Sequence, residues 1–288
     1  MTSSTQASER RWPRPFGRAS AHASEPGRRK WLRRLGTFTL VLGVLALAYG
    51  ATIYFWKDPV TDLYARWKQH QLAGELDQVF DRYGAGAPAS DGAGSTTDAG
   101  SGTQSSPADE ASSGVVAADP AFRRAVAADA RHFLGRVEQG DPLGRLVIPK
   151  LDIHPVFVHG TRWGADLSRG PGHYEQTSLP GLGKVTAVAG HRTTFGAWFR
   201  NIDDLKRGDE IVLELPYGTF IYRVVAHEIV DNDDWSIIEP RGYDALVLSA
   251  CHPLYSAKQR WIVYAKLATV ETGRGTAAYA SPATTDVG

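Results

Sequence analysis

Residues 35–56, LGTFTLVLGVLALAYGATIYFW, form an uncharged apolar run of 22 residues in a chain of 288. At about 1.5 Å per residue such a helix reaches about 33 Å, enough to cross the hydrocarbon core of a bilayer. It is longer than the apolar part of a signal peptide and no A-x-A cleavage pattern follows it, so an uncleaved anchor is expected. RRKWLRR stands immediately before the run, and Tyr54, Phe55 and Trp56 close it. The positive-inside rule and the aromatic preference for interfaces then put residues 1–34 in the cytoplasm and everything after Trp56 outside. The formal net charge is only +1, but Arg10, Arg11, Arg14, Arg18, Arg28, Arg29, Lys30, Arg33 and Arg34 all precede residue 35. Basic character confined to one end is a topology signal with some attraction for anionic lipid, and it argues against a nucleic-acid partner.

Beyond the anchor the composition changes several times. Residues 57–83 place Val60, Leu63, Trp67, Leu72, Leu76, Val79 and Phe80 at helical spacing behind Asp58 and Pro59, which predicts a juxtamembrane amphipathic helix. Residues 84–118 are rich in Gly, Ala, Ser, Thr and Asp, with too little apolar surface to order themselves. A flexible linker is expected there, with a random-coil reach of about 30 to 35 Å that lets the following domain search a shell around its anchor. Residues 119–139 predict a helix with Asp119 at the N-cap and Pro120 at the first helical position.

From Gly140 onward, short β-branched and aromatic runs alternate with Gly, Pro, Asp and Asn clusters: GRLVIP, HPVFVH, KVTAVAG, DEIVLEL, TFIYRVVAHEIV, DALVLSA and RWIVYAKL. Seven or eight short strands at this spacing predict an all-β barrel or sandwich with small helices in its connections. The folded domain is expected over residues 119–270, with a disordered tail over 271–288.

Cys251 is the only cysteine, so neither an internal disulfide nor a cysteine-rich zinc site can hold this fold together. A thiol becomes a nucleophile when a base or a positive neighbour makes its thiolate available, and acyl chemistry also needs an oxyanion partner. His191 closes KVTAVAG, Cys251 follows DALVLSA, and Arg260 opens RWIVYAKL. Residues at strand ends in a small barrel can meet on one rim although 60 positions separate them in sequence.

GPGHY, LPGLGKVTAVAGHRTTFGAWFRNIDDLKRGDEI and LVLSACHPLYSAKQRWIVYA resemble the corresponding stretches of sortases, the membrane-anchored cysteine transpeptidases of Gram-positive bacteria. The resemblance covers nearly all of residues 140–268. The HP after the cysteine and the SAxxR before the last strand are most similar to class E of actinobacteria, with class D next. It implies a closed eight-stranded β-barrel with Cys251 as nucleophile, His191 as general acid/base and Arg260 steadying substrate and oxyanion. The implied substrate is an LPxTG-like or LAxTG-like sorting signal on a surface protein, cut at Thr-Gly. The acyl group then passes to an amine of a cell-wall precursor or a pilin. No cofactor is implied.

The family pattern before the nucleophile is TLxTC, where this chain carries Val247 and Ala250, which bears on substrate preference. His252 and His173 stand close to these motifs and are assigned to packing or loop hydrogen bonds. Asp231, Asp233 and Asp234 offer oxygen ligands for calcium but lack the Gly and distal Glu of an EF-hand, so a solvated turn is expected. A hydrolase without an efficient acceptor and a stalked, non-catalytic binding barrel are the alternative readings.

Overall fold

In the computed structural model, residues 26–55, 59–86 and 116–279 are described. Residues 1–25, most of the expected linker (87–115) and the end of the expected tail (280–288) lie outside them. The chain divides after Ala51 into two compact units. The first is built on α1 (Pro26–Phe55), whose residues Lys30–Thr52 are long and apolar enough to cross a membrane.

The second unit is a closed β-barrel. Strands β2 (Pro142–Val147), β3 (Val156–His159), β4 (Gly172–His173), β5 (Val185–Gly190), β6 (Glu210–Leu215), β7 (Gly218–Asp231), β8 (Ala245–His252) and β9 (Gln259–Thr272) form it. Their order is β9-β7-β6-β2-β3-β4-β5-β8, and β8 pairs back onto β9, which closes the ring of eight expected from the sequence. Alternation along each strand sorts side chains into two sets. Leu246, Leu248, Ala250, Val263, Ala265 and Leu267 join the main core with Phe157, Phe199, Phe220 and Tyr222. Val185, Ala187, Ala245, Val247, Ile262 and Tyr264 face the other way, into a smaller cluster closed by Ile237.

α3 (Pro120–Leu134) begins as its sequence predicts, with Asp119 accepting from the Phe122 backbone N–H at 2.7 Å and Pro120 in the first turn. Its Val126, Ala130 and Phe133 are buried in the main core. The domain is longer than 119–270 at both ends. β10 (Gly275–Ala278) pairs antiparallel with the end of β9, and β1 (Val116–Ala117) pairs parallel with β10. A two-residue turn at Gly273 and Arg274, with Gly275 at φ 122°, folds residues 271–279 back, so they are not a disordered tail. Tyr279 is buried beneath the Arg123 guanidinium, 4.4 Å from its ring centroid.

α2 (Pro59–Gly86) also departs from expectation, because it lies on the barrel rather than apart from it. Leu72 and Leu76 are buried against Val156 and Val158, and each such side chain contributes about 1.5–3 kcal/mol. Gln69 acts like an added strand residue: its Nε2 donates to the carbonyls of Val156 and Arg169, both at 2.9 Å, and its Oε1 accepts from the Val156 N–H at 2.7 Å. Arg169 pairs with Glu75 at 2.7 Å. The chain that joins α1 to the folded domain is therefore residues 56–58, not the Gly- and Ser-rich linker.

Candidate active site

Strand register brings the three predicted residues together. β5 and β8 run parallel with Gly190 opposite Ala250, and β8 and β9 run antiparallel with Cys251 opposite Arg260. His191 and Cys251 continue the alternation of Val185, Ala187, Ala245 and Val247, while Arg260 continues that of Ile262 and Tyr264, so all three belong to one face. They line one cavity of about 610 Å³ together with Thr161, Trp163 and Tyr174.

Arg260 Nη1 lies 3.7 Å from Cys251 Sγ and is held there by the carbonyls of Ala257 at 3.0 Å and Gln259 at 3.1 Å. No carboxylate pairs with this guanidinium among the described residues. Its charge is therefore directed at the sulfur and at whatever approaches it, a setting that favours thiolate and can accept an oxyanion.

His191 leaves β5 immediately after Gly190, where a Cβ would stand 2.4 Å from the Phe199 ring, so only glycine allows that approach. The following loop is pinned by Arg192, which is 4% exposed: its Nε and Nη2 donate to the Arg200 carbonyl at 3.0 and 2.8 Å, and Nη2 pairs with Asp203 at 2.6 Å. Phe195, at φ 49°, packs its ring 5.4 Å from the His191 ring. Burial pushes the His191 pKa below its ordinary value, and its Nε2 is enclosed without a hydrogen-bond partner. A neutral imidazole with a free nitrogen is a ready proton acceptor.

The other tempting histidines are elsewhere. His173 is fully buried on β4 against His159, and His252 packs its ring 5.5 Å from Trp261. Asp234 accepts from the Ser236 N–H at 2.9 Å, fixing the turn after β7. Two contributors were not singled out from sequence. Trp163, 78% exposed at the cavity, and Tyr174 carry no periodic signal, only their place beside GPGHY. Ser249, two residues before Cys251 and so on its face, has a buried Oγ with no partner.

The sortase domain family matches residues 146–268. Sortase D of Bacillus subtilis is 38% identical over 136 residues, covering 46% of this chain and 67% of that relative. The chain belongs to the sortase family. Sortase SrtE1 of Streptomyces coelicolor is 30% identical over 155 residues, spanning 49% of this sortase but 44% of its own length. Among solved structures, the SrtA sortase from Actinomyces oris is 33% identical, covering 46% of this chain and 83% of that one with a TM-score of 0.42. Similarity to a sortase D and a sortase E agrees with the class ranking drawn from the HP and SAxxR motifs. The family makes this chain a cysteine transpeptidase with a closed eight-stranded barrel.

Proposed function

We propose that this sortase is anchored by α1 with its N-terminus in the cytoplasm, and that it joins surface proteins to an envelope amine through Cys251. The observation that carries the reading is the cavity in which an unpaired guanidinium meets the only thiol, beside an imidazole whose Nε2 is unsatisfied.

Cys251 passes its proton to neutral His191 and attacks the carbonyl carbon of Thr-Gly in an LPxTG-like or LAxTG-like signal. Arg260 holds the oxyanion of the tetrahedral intermediate. Collapse of that intermediate breaks the C–N bond, the His191 imidazolium protonates the leaving glycine amine, and a thioacyl enzyme remains. An amine from a cell-wall precursor or pilin then attacks the thioester and gives its proton to His191. The new amide forms as the Cys251 thiolate departs. Bond changes balance with no metal or cofactor in the cycle.

The test uses the full chain in detergent with LPxTG and LAxTG peptides side by side. Mass spectrometry is expected to find a peptide adduct on Cys251, and added amine to convert it to a transfer product. Undiminished cleavage of every peptide by Cys251→Ala would overturn the reading.

A further inference from the structure

The apolar residues of α2 that the sequence presents as one helical series occupy two faces. At about 100° per residue, Val60, Leu63, Tyr64 and Trp67 fall within an arc of about 100°, roughly opposite the one that holds Ala65, Leu72 and Leu76. The second arc is buried in the domain, whereas Leu63 is 71% exposed and Trp67 52% exposed. This exposed patch is confined to the first half of the helix. Residues 59–70 carry one acidic side chain, Asp62, against Arg66 and Lys68, while residues 71–86 carry Glu75, Asp77 and Asp81 against Arg82. Lys68 Nζ rests 4.6 Å from the Trp67 ring centroid and 5.8 Å from that of Tyr64. Tryptophan, tyrosine and leucine flanked by cations on a helix face form a surface suited to the headgroup region of a bilayer, with the cations reaching to the phosphates. An acidic, polar second half is suited to solvent.

We propose that the first three turns of α2 dock on the bilayer surface through Leu63, Tyr64 and Trp67. This rests on the anchoring by α1 proposed above, and the partner follows from chain continuity: α2 starts three residues after α1 ends, so this face cannot stray far from the membrane plane. Because Gln69, Leu72 and Leu76 fix α2 to β3, docking the helix fixes the attitude of the whole barrel to the bilayer. The exposed patch also touches the site, since Tyr64 packs edge-on to Phe195 at 6.3 Å and Phe195 packs against His191.

The test places single cysteines at Leu45, Leu63, Trp67 and Asp77 of the full-length Cys251→Ala chain in anionic vesicles. Each is labelled with an environment-sensitive dye and quenched by lipids spin-labelled near the headgroup or deep in the acyl chains. Headgroup quenching several-fold stronger at 63 and 67 than at 77, with deep quenching at 45, is expected. Quenching at 45 but equal, weak quenching at 63, 67 and 77 leaves the anchor standing and overturns the docking. No quenching at 45 removes the anchor and the docking with it. Efficient disulfide formation between Leu63→Cys chains would assign the face to a second copy and overturn the lipid assignment. In the wild-type Cys251 background, Leu63→Ser with Trp67→Ser is expected to slow reaction with a vesicle-tethered sorting peptide about tenfold and leave a free peptide unaffected. Equal effects on both substrates count against docking.

Discussion

His173 and His191 are both histidines whose pKa is lowered by burial, and they sit in sites built in opposite ways. His173 is satisfied on both sides of its ring. Its Nδ1 meets His159 Nδ1 at 3.1 Å, and its Nε2 meets the Ser178 carbonyl at 3.2 Å and Thr177 Oγ1 at 3.1 Å. Thr177 gives its own hydrogen to the Tyr174 carbonyl at 2.8 Å. Its oxygen and the Ser178 carbonyl are then acceptors, so His173 is protonated on Nε2 and accepts from His159 through Nδ1. His191 has no such closure at Nε2, and that ring borders the cavity that holds Cys251. A shifted pKa alone does not mark chemistry; an unsatisfied nitrogen beside a nucleophile does.

The largest effect that tests this contrast is on turnover. His191→Ala is expected to lower kcat/KM by about 10⁴-fold, as the loss of a proton-transfer partner does elsewhere, while leaving the urea midpoint nearly unchanged. His173→Ala is expected to do the reverse, costing about 2–3 kcal/mol of stability while the folded fraction keeps activity within a few-fold of wild type. Equal losses of activity in the two variants would end the distinction. Next in size is Arg260→Lys, which keeps the charge and loses the planar fork held by the Ala257 and Gln259 carbonyls. A fall of about 10² in kcat with little change in KM is expected in steady-state peptide assays, because the lost contact is to the oxyanion.

A smaller and differently signed effect concerns pH. Burial pushes the His173 pKa down to about 4, while the unfolded chain titrates near the ordinary 6.5. Between these values the unfolded state binds the extra proton. The contribution of His173 to stability is therefore complete above about pH 6.5, is lost as pH falls towards 4, and totals on the order of 3 kcal/mol. Unfolding measured across that window is expected to lose this slope in His173→Gln. A slope that survives the substitution would place the titrating group elsewhere, with His159 the first alternative because burial lowers it while Glu175, Asp141 and Asp166 draw it back up.

How far the sequence reaches follows the same physics. Strands of six or more residues carry an alternation that reveals both their existence and their faces, so β5, β8 and β9 place His191, Cys251 and Arg260 on one side before any coordinates are seen. Two-residue β1 and β4 have no period to detect, and β10 was hidden in a Gly- and Ala-rich stretch whose turn chemistry was taken for disorder. In α2 the apolar series was visible but its division was not. Val60, Leu63 and Trp67 look continuous with Leu72 and Leu76 until a helical wheel separates the arc that packs from the one left exposed. The resemblance to sortases supplied roles for the site residues, and strand parity supplied the reason they meet.

Parity also revises the significance of the missing threonines. Ala250, where the family pattern has Thr, is 2% exposed and packs in the main core, so its side chain points away from the face that carries Cys251. Ser249 is on that face, and its hydroxyl is buried beside the cavity without a partner. If that hydroxyl awaits the sorting peptide, Ser249→Ala relieves an unmet hydrogen-bonding group in the free enzyme. It is then expected to leave stability unchanged or raise it by up to about 1 kcal/mol, while raising the peptide KM a few-fold. Ala250→Thr is expected to cost about 1–3 kcal/mol by overpacking the core, with the ranking of LPxTG over LAxTG unaltered. Denaturant unfolding and competition between the two peptides measure both. A Ser249→Ala chain that is less stable with KM unchanged would make the hydroxyl a structural group and return the question of substrate choice to Trp163 and Tyr174, the aromatic side chains across the cavity wall.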